Sequence, residues 1–146
     1  MSDQCGVFDV NKLLSALDNE NNERFMTMNK EKIQKIKNDM LQQLQLQSNI
    51  LKQYHKKLKQ YRYVDDLADL KYGCYIRWIN LTNPDNLNLT NGGLIVDINF
   101  YDDGVQIKCK NNYNRFFNIK FDESMIFQKL SQQELILLQI MEALDK

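Results

Sequence analysis

The stretch LIVDINFYDDGVQIKCK, residues 94–110, carries the clearest structural signal in the chain. Simple alternation predicts a strand over residues 94–101 whose inward side chains are Leu94, Val96, Ile98 and Phe100. Asp103-Gly104 is a hairpin turn signal. A second alternating run follows, with Val105, Ile107 and Cys109 inward. The stretch therefore predicts two antiparallel strands joined by a tight turn.

Three further segments have the composition of short strands. YIRWINL (75–81) and FFNIKF (116–121) are rich in β-branched and aromatic residues, and MIFQ (125–128) is a short last strand. A small antiparallel sheet usually closes on itself to hide its edges. We therefore predict a five-stranded SH3-like or Tudor-like barrel, with an OB-like barrel as the alternative.

The C-terminal segment predicts a helix that closes this module. In LSQQEL (130–135) Ser131 is placed as the N-cap and Glu134 as the third helical residue, which is the spacing of a capping box. Leu130 and Leu135 are placed for a hydrophobic staple. The apolar surface of helix 132–144 is broad and must be buried on the barrel or on a partner's helix.

The N-terminal half is predicted to be helical, giving an α+β chain with a helical region over residues 1–70 and a barrel with its capping helix over 71–146. A short helix is expected at about 9–18, and a long coiled-coil-like helix at about 29–70. The long helix has an apolar stripe that a small barrel cannot cover, so we predict a protein partner or a homo-oligomer there. The alternative is a hairpin with the short helix. The stripe consists of Ile33, Ile36, Met40, Leu44, Leu51, Tyr54, Leu58 and Tyr61.

The same helix has a basic face, although the chain as a whole has 19 basic and 19 acidic residues. Such a face predicts either solvated lysines or salt-sensitive contacts with nucleic acid. His55, the only histidine, is interpreted as a surface residue. The candidate contacts are Lys30, Lys32, Lys35, Lys37, Lys52, Lys56, Lys57, Lys59 and Arg62.

Aromatic residues of the barrel have two interpretations. They either pack in its core or gather at its rim as a binding patch. The residues concerned are Tyr75, Trp78, Tyr101 and Tyr113.

No pattern of catalytic residues is present, so we predict a non-enzymatic protein without metal or cofactor. No Cys/His cluster has the spacing of a zinc site, and no glycine-rich phosphate loop occurs. Cys5, Cys74 and Cys109 are an odd number of widely spaced cysteines, which indicates free thiols in a reducing intracellular compartment. No apolar run is long enough to span a bilayer, so no membrane association is expected.

Residues 63–144 resemble a group of uncharacterised small proteins of nucleocytoplasmic large DNA viruses. The resemblance lies in YIRWINL, LTNGG, IKCKN and IFQKL before a leucine-rich helix. It implies a giant-virus protein located in a viral factory in the host cytoplasm, or in the virion. Because the long helix has an uncovered apolar stripe, we expect a structural or adaptor protein, in this setting one of the virion or of its assembly. The alternatives are a nucleic-acid-associated module in genome packaging or transcription, and an accessory subunit of an enzyme.

Overall fold

The computed structural model of the protein describes residues 29–144, so the helix expected at about 9–18 and Cys5 lie outside the described residues. Residues 34–129 form one compact unit. The described residues on either side, 29–33 and 130–144, belong to a second unit. Each unit is described by itself.

The first unit is built on an antiparallel sheet of six strands in the order β1-β6-β2-β3-β4-β5. Every neighbouring pair is antiparallel, and β1 and β5 are the two edges. The predicted five-stranded barrel is therefore wrong, because the sheet is open and has one strand more. The strands are β1 (Tyr61–Val64), β2 (Tyr75–Asn80), β3 (Gly93–Tyr101), β4 (Gly104–Lys110), β5 (Phe116–Lys120) and β6 (Ser124–Lys129).

β1 was not predicted from the sequence, and it forms one edge of the open sheet. β1 pairs with β6 from Tyr61↔Lys129 to Val64↔Ile126, so it lies at the edge opposite β5. The connection over residues 65–74 crosses β6 to reach β2 and contains a short 3-10 helix, Leu67–Asp69. A closed barrel needs the two edge strands of the sheet to pair, and here the edge strands β1 and β5 lie at opposite ends of the strand order.

The predicted long helix is also wrong, because the chain forms two short helices there, α1 (Lys30–Gln42) and α2 (Ser48–Lys57). Gln45, which has a positive φ of 53°, lies in the break between them. The left-handed region is unfavourable for a residue with a side chain, and it cannot continue a right-handed helix. The coiled-coil-like architecture is therefore absent from the described residues.

Two apolar clusters lie on opposite faces of the sheet, because successive side chains of a strand point to opposite sides. Ile126 of β6 belongs to one cluster, and its neighbours Met125 and Phe127 belong to the other. The first cluster contains Val64, Leu70, Ile76, Trp78, Ile95, Ile107, Cys109 and Ile126. The second contains Leu41, Tyr54, Leu58, Ile79, Met125 and Phe127, so α1 and α2 cover that face.

A β-bulge in β3 changes which of its side chains face the core, compared with the prediction from the sequence. The register shifts between Ile95 and Asp97, which leaves Val96 as the additional residue. Ile95 is buried in the first cluster, whereas Leu94 and Val96 are 42% and 40% exposed. The predicted inward set is thus wrong at Leu94, Val96 and Phe100, the last of which is 72% exposed, and Ile98 alone of the four packs against the first cluster. In β4 the predicted alternation is confirmed, because Ile107 and Cys109 are fully buried.

The second unit contains helix α3, Gln132–Leu144. The capping box is confirmed. The Ser131 backbone N–H donates to Glu134 Oε1 at 2.9 Å, and the Glu134 N–H donates to Ser131 Oγ at 3.1 Å. Ile33, Leu137 and Leu138 form an apolar cluster of this unit. The helix is therefore fixed at its first turn by two hydrogen bonds and along its side by apolar packing.

Candidate functional site

The apolar stripe that was expected to bind a partner is used mostly inside the chain. Ile33, Tyr54 and Leu58 are buried, while Ile36 is 37% exposed. The remaining four, half-buried, pack against the second apolar cluster: Met40, Leu44, Leu51 and Tyr61. The stripe therefore does not form a continuous surface for a second helix.

The predicted basic face also contains both buried and exposed residues. Lys37 and Arg62 are buried, at 1% and 4% exposure. Lys35 is paired with Asp39, with 3.1 Å between Nζ and Oδ2. The candidate contacts that stay exposed are Lys30, Lys32, Lys35, Lys52, Lys56, Lys57 and Lys59. Two residues of the proposed face are thus structural.

Lys37 fixes the end of α2. Its Nζ donates hydrogen bonds to the backbone oxygens of Leu58 at 2.8 Å and Tyr61 at 2.9 Å. A cation there compensates the partial negative charge of a helix C-terminus. Burial lowers the pKa of Lys37 to about 8. The pKa of His55 is lowered by burial and then by the charge of Lys37.

A second buried polar side chain, that of Gln128, forms hydrogen bonds with the connection between β1 and β2. Gln128 is fully buried, its Oε1 accepts from the Lys71 N–H at 3.0 Å, and its Nε2 donates to the Asp69 backbone oxygen at 2.9 Å. Arg62 Nη1 lies 4.0 Å from Asp69 Oδ2. The two hydrogen bonds of Gln128 satisfy its buried amide group within the fold.

The four aromatic residues expected at a barrel rim are not brought together as one patch. Trp78 is 7% exposed and belongs to the first apolar cluster. The Tyr75 hydroxyl donates to the Asn91 backbone oxygen at 2.9 Å. Tyr101 and Tyr113 are exposed, at 53% and 85%.

Large exposed apolar side chains concentrate instead on β3, β5 and the turn before β5. We call these residues the outer sheet surface: Leu94, Val96, Phe100, Tyr101, Tyr113, Phe116 and Phe117. These residues lie on both faces of the outer strands, since neighbours such as Phe116 and Phe117 point to opposite sides, and exposed aromatic side chains are enriched in protein interfaces. Phe116 and Phe117 were not predicted as site residues from the sequence. Their adjacency was the available signal, because two neighbouring residues of a strand face opposite sides of the sheet and both sides must be covered to bury them.

The strand register shows why part of this surface is uncovered. Ile95, Cys109 and Phe117 form one row across β3, β4 and β5 on the face of the first cluster. Ile95 and Cys109 are buried, but Phe117 at the end of the row is 43% exposed. The apolar face of the sheet therefore extends beyond its own core.

The opposite face of β5 combines an aromatic ring with positive charge. Phe116 is 57% exposed and pairs with Lys110. Lys108 Nζ lies 5.0 Å from the centroid of the Phe116 ring, within the range of a cation–π interaction. The ring can therefore accept a cation at its face.

Metal sites, small-molecule pockets and membrane-spanning helices are other features by which the described residues could indicate a function. Over residues 29–144 no group of three or more His, Cys, Asp or Glu is placed to hold a metal ion. A depression of about 190 Å³ beside the β3–β4 turn, lined in part by Asp103, Lys120 and Asp122, is below the size usual for small-molecule sites. None of the helices within that range is both long and apolar enough to cross a bilayer.

Comparison with known proteins adds no relative. Neither the family models nor the curated proteins nor the solved structures contain a match to this chain. The resemblance to proteins of large DNA viruses, and every assignment of function, stays a prediction.

Proposed function

We propose that this chain is a non-enzymatic adaptor or assembly protein, and that its binding surface is the outer sheet surface. Its partner is a protein that presents an extended segment with apolar side chains to edge strand β5. The observation that carries the proposal is the exposure of Phe116 and Phe117 on a strand whose outer edge has no neighbour among the described strands.

An exposed edge is a template for strand addition. Its backbone groups supply hydrogen bonds, and pockets or rings beside alternate residues supply specificity. β5 can supply both. Its outer edge has no neighbour among the described strands, and the apolar row that ends at Phe117 can continue onto an added strand. The other edge is different. At its first residue, the Tyr61 backbone oxygen of β1 already accepts a hydrogen bond from Lys37 of α1.

The resemblance of residues 63–144 adds a biological setting to the proposal. In that setting the chain is a component of a virion or of its assembly in a viral factory, and the partner is another assembly protein. The sequence motifs quoted for the resemblance support this setting, and the exposure of Phe116 and Phe117 supports the binding surface.

Site-specific photo-cross-linking in cells that make the protein tests the proposal. A photoreactive amino acid is placed at Phe117 in the full chain, and the adducts are identified by mass spectrometry with and without nuclease. We expect nuclease-resistant protein adducts from position 117. The matched control is the same amino acid at Tyr72, which is 63% exposed on the β1–β2 connection.

Equal yields of adducts at both positions would contradict the proposal, because they would report random encounters. Adducts that consist of nucleic acid would also contradict it. Adducts with this chain itself and adducts with other proteins both support a protein-binding surface, and they separate two kinds of partner.

A second candidate function, contact with nucleic acid, is favoured by the exposed lysines of α2 and of the turn after it. Lys52 and Lys56 are one helical turn apart, and Lys57 and Lys59 follow. Replacement of these four lysines by Glu should abolish retention of single-stranded DNA or RNA at low salt. Absence of retention by the wild-type chain at about 20 mM salt would remove this candidate, because phosphate contacts are strongest under that condition.

A further inference from the structure

The outer edge of β5, which has no neighbour among the described strands, has a defined pattern of inward and outward backbone hydrogen-bonding groups. The turn before β5 is closed by the Asn111 N–H, which donates to the Arg115 backbone oxygen at 2.9 Å. Hydrogen-bonded and non-hydrogen-bonded pairs alternate along an antiparallel ladder, so Phe117 and Ile119 bond to β4. The backbone groups of Phe116, Asn118 and Lys120 must then point away from β4, toward the open edge.

These three residues make the edge complementary to itself. An antiparallel second copy of β5, related by a twofold axis at Asn118, places Phe116 opposite Lys120 of the second copy. It also places Asn118 opposite Asn118. Residues whose backbone N–H and C=O groups point outward then lie opposite each other in the two copies. They can therefore form the hydrogen-bonded pairs of an antiparallel ladder.

The side chains match in the same register. Phe117 lies opposite Ile119 of the second copy on the face of the first apolar cluster, and such cross-strand apolar pairs stabilise sheets. On the other face, Lys120 of the second copy lies opposite Phe116. The Phe116 ring already has Lys108 at cation–π distance, which shows that it is accessible to a cation.

The charges at the ends of β5 favour the same arrangement. Arg115 precedes the strand, and the exposed residues Asp122 and Glu123 follow it. Antiparallel pairing brings the basic end of one strand beside the acidic end of the other, twice. A parallel arrangement in register would instead place Lys120 opposite Lys120, and a slip of one residue would turn the apolar side chains to the wrong face.

We propose that the occupant of the outer edge is a second copy of this chain, bound through antiparallel β5–β5 pairing about a twofold axis at Asn118. The two sheets then form one continuous sheet. This inference rests on the proposed protein-binding function of the outer sheet surface and names its partner. An isologous contact of this kind closes as a dimer and does not propagate into fibres.

The first test is the molar mass of the full chain from about 1 to 500 µM by sedimentation velocity. We expect a monomer–dimer equilibrium for the wild type. Phe117→Lys should weaken association at least ~10-fold, because it places a charge opposite Ile119 of the second copy. The control is Tyr72→Lys, since Tyr72 is 63% exposed and lies on the β1–β2 connection, outside the outer sheet surface. The control should dimerise like the wild type.

A proline substitution tests the strand pairing itself. Asn118→Pro removes an N–H that faces the open edge and leaves the bonds of Phe117 and Ile119 to β4 intact, and proline is tolerated at such edge positions. We expect a folded monomer. In the wild type, amide exchange at Asn118 should slow as concentration rises, while the Phe117 and Ile119 amides are protected at every concentration.

The outcomes separate this inference from the proposed function. A wild-type chain that stays monomeric at 500 µM, with an unprotected Asn118 amide, overturns the second copy as occupant. Adducts with other proteins at position 117 would in that case leave the adaptor function standing. A dimer that persists in Asn118→Pro overturns β5 pairing, and absence of specific adducts at position 117 overturns the proposed function.

Discussion

At the scale of single residues, Lys37 shows how a charged side chain becomes part of a core. The sequence placed it in a basic face, but its ammonium group donates to the Leu58 backbone oxygen at the end of α2 and to the Tyr61 backbone oxygen at the start of β1. Two carbonyl oxygens replace water as its hydrogen-bond partners. They do not replace the full solvation of the charge, and this is why burial lowers the pKa.

This environment predicts an unusual dependence of stability on pH. Burial lowers the pKa of Lys37 from 10.5 to about 8. Between these values the unfolded chain holds a proton that the folded chain has lost, so the free energy of unfolding rises with pH. The expected increase is roughly 2 kcal/mol between pH 8 and 10. It is measured by urea unfolding of the wild type and of Lys37→Met, in which this increase should disappear.

Exposed Lys56→Met is the control and should keep the wild-type dependence. The same variants give a second readout at the only histidine of the chain. The charge of Lys37 contributes to the lowered pKa of His55, so Lys37→Met should raise that pKa in an NMR titration. A Met variant with an unchanged pH dependence and an unchanged His55 pKa would show that Lys37 is solvated.

At the scale of elements, the join between β2 and β3 is the narrowest part of the sheet. Their ladder has two register pairs, Tyr75↔Leu94 and Ile76↔Gly93. Gly92 enters this join with a φ of +90°, and a Cβ there would lie 2.2 Å from the Ile76 backbone oxygen. The backbone of β2 cannot move aside without breaking its pairing with β6 on the other side. The close approach therefore requires glycine.

We expect Gly92→Ala to lower the free energy of unfolding by about 3 kcal/mol or more, because it combines backbone strain with a clash against main chain. Gly73→Ala separates these two effects. Gly73 has a φ of +80° but open space around its Cβ position, so only the strain of about 1–2 kcal/mol applies. Urea unfolding of both variants measures the difference. Equal losses would mean that β2 and β3 adjust to the extra methyl group.

The elements also show which parts of the fold local sequence can predict. The strands from β2 to β6 follow alternation and turn residues, and the capping box of α3 follows a four-residue pattern, so all were recognised. β1 was missed because YRYV comes after a run of helix-forming residues without proline or glycine. Its strand conformation depends on pairing with β6, which is remote in sequence. The break at Gln45 likewise has no glycine to mark it.

The candidate site was predictable only in part, for a related reason. Whether Phe117 is covered depends on where the core ends, and that depends on the order of all six strands. The bulge at Val96 moves Ile95 into the core and Leu94 out of it, and the sequence of β3 alone does not reveal the extra residue. Exposed aromatic residues on β5 are therefore a property of the assembled sheet.

At the scale of the whole unit formed by residues 34–129, the outer strands must be as stable as the inner ones if β5 is to bind a partner in a fixed register. Cys109 reports on this stability, because it lies in β4 and pairs with Ile95 of β3 and Phe117 of β5. It is fully buried, and burial raises the pKa of its thiol to about 12. Alkylation needs an accessible thiolate, so the folded sheet should block it.

We expect iodoacetamide at pH 8 to label Cys109 at least ~1000-fold more slowly in the folded chain than in the unfolded chain. Cys5→Ser/Cys74→Ser leaves this thiol alone for the measurement. The labelling rate should rise with urea with the same m-value as global unfolding, measured by circular dichroism on the same variant. Labelling that is independent of urea would instead mean that β5 peels from β4 in local openings. A strand that opens in this way could not hold the register at Asn118, so that result would weaken β5–β5 pairing while leaving the fold of the inner strands untouched.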